Sequence, residues 1–204
     1  MIVLANPAKP MATPEGQARN EEVFRAAARL MVEKGYGATS MNDIAQAVGM
    51  TKAGLYHHIR SKQDMLFQIL HFAIKGLERE VIEPSKRLLD PELRLRELIR
   101  LHVQGLFEHG LEFALLFPER RHLEALQQQL IEQGLDDYVS MLREAMQEMD
   151  KEGKLRDLDV NIASRHILHT IAGIARWYSR DAVSEELLAE QTVNFNMAAI
   201  LKNP

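Results

Sequence analysis

The sequence predicts an all-α protein, on three observations. Apolar residues recur at helical spacing in segment after segment of the 204 residues, and no stretch alternates apolar and polar as a half-buried strand would. One stretch, residues 39–62, reads as two short helices joined by a tight turn. The architecture that follows is a disordered tail over 1–17, a three-helix unit over 18–64 built on that stretch, and a larger helical unit over 65–204. About nine helices are expected in all.

The tail carries Pro7, Pro10 and Pro14 without periodicity, and Met11 offers a second start of translation. From Ala18 the pattern turns helical: Val23, Ala27 and Leu30, with Phe24, Ala28 and Met31 beside them, form a broad apolar face that ends at Gly35. The start of this helix, Arg19 to Glu21, is placed to approach a phosphate backbone. Ser40 and Asp43 then read as a capping box opening the second helix. Its Met41, Ile44, Ala45 and Val48 fall at i, i+3, i+4 and i+7. Ala45 leaves room for a crossing helix, and Gly49 can take the positive φ of a tight turn without a Cβ clash. Thr51 is an N-cap, and Leu55 packs back on Ile44 and Val48. This is a helix-turn-helix, with residues 51–59 as the recognition helix.

The chemistry of that helix agrees. Thr51, Lys52, Ala53 and Gly54 give its first turn a hydroxyl, a cation and two side chains too small to hold it out of a groove. Tyr56, His57 and Lys62 supply donors for phosphates on either side. The competing reading makes Tyr56 half-buried core and His57 a solvated surface residue.

The run GYGATSMNDIAQAVGMTKAGLYHHIRSKQDML resembles the DNA-binding domain of the TetR family of one-component transcriptional regulators. Thr39, Asp43, Ile44, Ala45, Gly49, Thr51, Gly54, Leu55, Tyr56, His58, Ser61 and Lys62 carry the match. Ile59 stands where the family usually has Phe, an apolar-for-apolar exchange. The resemblance implies a homodimeric repressor on a palindromic operator in double-stranded DNA. It also implies DNA contacts from Thr39, Thr51, Lys52, Ala53, Gly54, Tyr56, His57 and Lys62.

Beyond the motif, Ser61 and Asp64 form a second capping box for a fourth helix that runs to about Glu83, where Pro84 breaks it. Because it leaves one unit and enters the next, it is the natural mechanical link. Asp90-Pro91-Glu92 opens a helix to about Gly110. A short apolar piece, 111–117, follows and stops at Pro118, and a long amphipathic helix runs from Glu119 to about Lys151. Asp159 caps a helix to about Tyr178 that is apolar around most of its circumference, which predicts burial on more than one side. The last helix, 184–201, is also apolar, and the final two helices are expected to pair with their copies in a homodimer.

Charge alone would not suggest a DNA-binding protein, since the net formal charge is −4. Residues 1–65 hold eight Lys and Arg against six Asp and Glu, and the remainder 17 against 23. The asymmetry has the right sign and is mild. The absence of cysteine excludes disulfides and thiolate metal sites. No apolar run approaches the ~18 residues of a membrane span, and the first residues lack the basic flank of a secretion signal. A cytoplasmic protein without membrane contact is expected.

Enzyme readings find little support. Glu119 and His122 have the spacing of half a carboxylate-bridged di-iron site, yet no second Glu-x-x-His exists to complete it. His166 and His169 share a helical face without further ligands. No catalytic residue, metal ligand set or cofactor is assigned.

An effector region is sought instead in LEFALLF at 111–117, either ordinary core or the wall of an apolar cavity. Leu106, His109, Phe113, Leu116, Phe117 and Ile171 are its candidate lining. Arg120 and Arg121, with His122, follow at the expected start of the long helix, where an anion is favoured; a solvated face is the alternative. The segment TIAGIARWYSRDAVSEELLAEQTVNFNMAAIL resembles the C-terminal region of TetR-family repressors that answer to acyl-CoA or steroid-CoA esters, including repressors of fatty-acid degradation. That resemblance rests on Gly173, Arg176, Trp177 and Tyr178, while Asp181-Ala182 depart from it. It implies a long-chain acyl-CoA as the small-molecule effector, with Arg176 and Trp177 as ligand contacts or, equally, interface residues. The rival is a TetR-like repressor sensing a drug, for which Glu112 is the single carboxylate in the region.

Overall fold

The computed structural model describes residues 14–178 and 183–202, with the side chains of 14–18, His57 and His58 excepted. The tail over 1–13, Met11 and the Asp181-Ala182 loop lie outside the described residues. Helix α1 (Pro14–Lys34) already begins at Pro14, ahead of the expected Ala18. Pro is favoured at a first helical position, because its missing N–H has no intrahelical partner there anyway. α2 (Met41–Ala47), α3 (Lys52–His58) and α4 (Lys62–Leu77) follow where the capping residues put them.

Pro84 does not break the fourth helix. The chain widens into a π-helical stretch (Glu78–Ile82), in which Glu83 N–H reaches back to Glu78 O, and goes on into a last turn, α5 (Glu83–Ser85). Pro84 lies in the first turn of that new segment, where its ring is tolerated.

The next helix also differs from expectation. α6 (Pro91–Glu119), capped by the Asp90 carboxylate on Leu93 N–H at 2.8 Å, runs through Gly110 and takes the apolar piece 111–117 as its second half. Its irregularity is one residue earlier, at His109 (φ −120°, ψ 19°), where the axis kinks. Gly costs a helix only about 1 kcal/mol relative to Ala. Burial of Leu106, Phe113, Leu115 and Leu116 on either side of it outweighs that.

After α6 comes a 3₁₀ turn (Arg120–His122), and α7 (Ala125–Lys151) starts behind a capping box of Glu124 and Gln127. Arg120, Arg121 and His122 therefore sit at the C-terminal end of α6. The helix dipole favours cations there, so the helix-start setting expected for an anion is not the one these residues occupy. α8 (Val160–Trp177) and α9 (Glu185–Ile200) are capped by Asp159 and Ser184. The chain end returns to the α7–α8 loop through Arg156 N–H to Ile200 O and Lys202 N–H to Lys154 O.

α6 is the central element and packs on α1, α4, α7, α8 and α9. One continuous set of buried apolar residues extends from Val23 in α1 to Leu201 behind α9, across both expected units. α4 and α7 cross at Gly134, where a Cβ would lie 2.2 Å from Ile74 Cγ2. α8 was expected to be buried on more than one side. It buries Ser164, Ile167, Leu168, Ile171 and Ile174 and leaves its opposite face open. Ile162 and Trp177 on α8 and Phe195 on α9 are 56%, 63% and 68% exposed. Among the described residues no helix is long and apolar enough to cross a membrane.

Candidate nucleic-acid interface and effector region

The helix-turn-helix is built by local hydrogen bonds that the sequence encodes. Ser40 N–H donates to the Asp43 carboxylate at 2.8 Å and Asp43 N–H to Ser40 Oγ at 3.1 Å, closing the capping box of α2. The Ser40 hydroxyl and N–H, with Lys34 nearby, hold the Asp43 carboxyl below the usual carboxylate range. α2 ends in a Schellman turn: Met50 N–H reaches Ala45 O at 2.9 Å and Gly49 N–H reaches Gln46 O at 3.2 Å. Gly49 takes φ +64° to allow it. Thr51 Oγ1 then accepts from Gly54 N–H at 3.0 Å and starts α3, whose Leu55 is buried against Ile44 and Val48 in the common core.

This leaves Thr51, Lys52, Ala53 and Tyr56 exposed along one side of α3, with Gly54 half-buried beneath them. Lys52 Nζ lies 5.8 Å from the Tyr56 ring centroid. Arg60, not picked out from the sequence, is exposed just beyond. The side chain of His57 lies outside the described residues.

Two expected DNA contacts are otherwise engaged. Thr39 is 1% exposed, and its hydroxyl donates toward Gly35 O at 2.9 Å and Leu30 O at 3.2 Å. It is a staple between the α1–α2 loop and α1, and its buried hydroxyl does not reach a phosphate. Lys62 Nζ donates to Tyr36 O at 2.8 Å and Gly37 O at 3.0 Å, over the Tyr36 ring. One of its three donors remains for another partner. Arg19, expected near phosphates, donates to Val48 O at 3.0 Å and pins α1 to the end of α2.

The candidate effector residues do not meet in one place. Leu106, His109, Phe113, Leu116 and Ile171 are buried in the core. Phe117 and Arg120 line a cleft of about 320 Å³ against α7 and α8, with the guanidinium 5.6 Å from the Phe117 ring centroid. Arg121, Arg176 and Trp177 are exposed, the last two at the end of α8.

Two features of this region were not found from the sequence. The first is a cleft of about 680 Å³ between α1, α6 and α8, lined by Arg25 and Arg29, by the carboxylate-bearing Glu108, and by an apolar wall of Leu106, Phe107, Leu111 and Ile174. Arg25 and Arg29 are one turn apart on the exposed side of α1, a spacing visible in the sequence; the wall facing them is not. The second is a buried pair, His102 Nδ1 and Tyr138 Oη, 2.9 Å apart. Burial pushes His102 down to about 3 and Tyr138 well above its usual range. Glu112 is also buried, 1% exposed, with both oxygens unpartnered. Desolvation raises its pKa, against smaller opposing effects from its backbone, His109 and Arg25.

A family profile described as "Bacterial regulatory proteins, tetR family" matches residues 23–69, and one described as "Tetracyclin repressor-like, C-terminal domain" matches residues 88–200. The transcriptional repressor KstR2 of Rhodococcus jostii is 29% identical over 162 residues, which is 78% of this chain and 79% of that protein. The regulator PfmR of Thermus thermophilus superposes with a TM-score of 0.79 at 30% identity, covering 86% of this chain and 97% of its own. AibR, solved in complex with isovaleryl coenzyme A and operator DNA, gives 0.78 at 30% identity, covering 87% and 97%.

Proposed function

We propose, from the premise that this chain belongs to the TetR family of bacterial regulatory proteins, that a long-chain acyl-CoA releases it from a palindromic operator. As a member of that family it is a ligand-responsive transcriptional repressor and not an enzyme. The finer reading rests on one observation, the cleft in which Arg25 and Arg29 face an apolar wall from α6 and α8. An acyl-CoA has this duality: a polyanionic phosphate end and a chain in which each buried CH₂ is worth about 0.8 kcal/mol. The complex of AibR with a coenzyme A thioester and DNA supports the ligand class.

In this reading Arg25 and Arg29 take the phosphates, and the acyl chain enters beside Leu106 toward Phe113 and Leu116. The DNA face is the exposed side of α3, with Lys52, Ala53 and Tyr56 reading the major groove and Lys62 giving its remaining donor to a phosphate. The repressor acts in the cytoplasm as a homodimer through α8 and α9, its recognition helices about one DNA turn, ~34 Å, apart. The effector parts α1 from α6, and α4 carries the change to α3. A coupling of about 1–3 kcal/mol weakens DNA binding about 5- to 150-fold.

The test uses a duplex selected from a randomised pool, with fluorescence anisotropy read while CoA, butyryl-CoA, palmitoyl-CoA or a non-intercalating cationic dye is added. Palmitoyl-CoA is expected to release the protein and free CoA to do little. Arg25→Ala with Arg29→Ala is expected to raise the palmitoyl-CoA needed about tenfold, a loss of about 1.4 kcal/mol. Equal release by all three CoA species, or none by palmitoyl-CoA, would refute the reading. Release by the dye alone would favour a drug sensor in which Glu112 meets the cation.

A further inference from the structure

The kink of α6 carries chemistry that DNA binding and an acyl-CoA leave unused. At His109 the backbone departs from helical geometry, and the imidazole is turned toward the π-helical stretch below α4. His109 is 5% exposed, and neither ring nitrogen has a hydrogen bond. Its Nε2 faces Glu80 Oε2 at 3.4 Å, and Phe72 stands edge-on at 5.4 Å. The other Glu80 oxygen is held by Arg79. Glu108, exposed and next in sequence, brings a second carboxylate. One donor atom from each of Glu80, Glu108 and His109 lies within 4.8 Å of the others. Among the described residues this is where three such side chains converge.

We propose that Glu80, Glu108 and His109 form a binding site for a divalent transition-metal ion of the zinc type, bridging the π-helical stretch to the kink of α6. The donor set, one imidazole nitrogen and two carboxylates, suits such an ion better than calcium or magnesium, which take oxygen alone. Three protein donors leave a fourth position open, as in zinc sites that keep a water or ligand. Zinc lies about 2.0–2.2 Å from nitrogen and oxygen donors, so the three groups must draw together. Glu108 is exposed and free to do so, and Glu80, half-buried with one oxygen on Arg79, already faces His109 with the other.

The burial of His109 supports the assignment independently. A buried imidazole without a hydrogen bond costs stability, and native structures keep such groups only with a reason. A bound ion would satisfy Nε2. Metal-ligating histidines commonly direct their other nitrogen to a carboxylate, and Glu112, one helical turn on, is buried with neither oxygen hydrogen-bonded. The π-helical stretch sets the position of Glu80, as π segments often do at functional sites. An ion here would also neutralise Glu108, the acid in the cleft that Arg25 and Arg29 line. The site stands independently of the effector reading.

The test is calorimetric titration of chelator-stripped full-length protein with Zn²⁺, with the melting temperature read in parallel. One ion per protomer and a rise in melting temperature are expected. Glu108→Gln, at an exposed position, is expected to keep the fold and weaken zinc at least tenfold, and His109→Gln to abolish uptake. His122→Gln, which removes the separate Glu119–His122 pair, is expected to leave it unchanged. Absence of stoichiometric uptake would overturn the site, as would uptake that survives Glu108→Gln and is lost in His122→Gln.

Discussion

His102 ties a single buried hydrogen bond to the pH range over which the molecule stays folded. Its ring is enclosed, with a pKa of about 3 against 6.5 for the free side chain. The unfolded chain therefore binds a proton below pH 6.5 that the folded chain refuses. The stability this group contributes is complete above pH 6.5 and falls by up to about 1.4 kcal/mol per pH unit between 6.5 and 3. His71, lowered by burial and then by Lys75, acts in the same direction. Urea unfolding at pH 7.5 and 5.5 should show the lower midpoint at 5.5. The difference should shrink in His102→Asn, which keeps a partner for Tyr138; an unchanged difference would remove His102 as the cause. The partners are 36 positions apart on different helices, so nothing local in the sequence announces the pair. Ser40, Thr51 and Ser61 were legible because a cap closes within three residues. Thr39 was misread for the opposite reason: its partners lie back in α1 and its loop, and that burial is a tertiary fact.

Among the elements, the crossing of α4 and α7 is the contact least able to give. Gly134→Ala would put a methyl 2.2 Å from Ile74 Cγ2, a branch that cannot rotate away without moving its helix. Overpacking of this kind costs about 1–3 kcal/mol, and the gain of about 1 kcal/mol in helix propensity offsets part of it. Thermal denaturation should therefore show Gly134→Ala as less stable than the wild type. Adding Ile74→Ala, which removes the clashing branch, should make the Gly134 exchange neutral or favourable in that background. Equal effects of Gly134→Ala in both backgrounds would deny the clash. Element boundaries with a capping residue were read correctly from the sequence, while those inferred from Gly110, Pro84 and Glu119 were not. Gly and Pro mark local preference only, and α6 overrides about 1 kcal/mol of it by burying side chains along its whole length against the helices around it. The basic triplet, read as an anion site at a helix start, lies at a helix end for that reason.

At the scale of the whole molecule, α8 and α9 leave an open face with large apolar side chains uncovered by the fold. Ile162, Trp177, Leu187 and Phe195 are each close to half exposed or more. Around Phe195 and Ile162 they border a hollow of about 640 Å³ between the two helices. Sedimentation at micromolar concentration should show a wild-type dimer. Phe195→Glu, at a position 68% exposed, should give a folded monomer with unchanged circular dichroism and much weaker operator binding; a Phe195→Glu dimer would move the interface elsewhere. The sequence conveyed that these helices hold excess apolar surface and which family resembles the N-terminal motif. It did not convey how the effector residues distribute, because that depends on which faces of α6 and α8 meet α1 and α7. Lys52, Ala53 and Tyr56 point away from the core, while Ile44, Val48 and Leu55 hold α3 in place from beneath. If the outer set reads the operator, preference for base sequence and thermodynamic stability reside in separate residues. Surface exchanges usually alter stability by no more than about 0.5 kcal/mol, so a lineage could wander through many operators by single substitutions, with its scaffold left intact at every step.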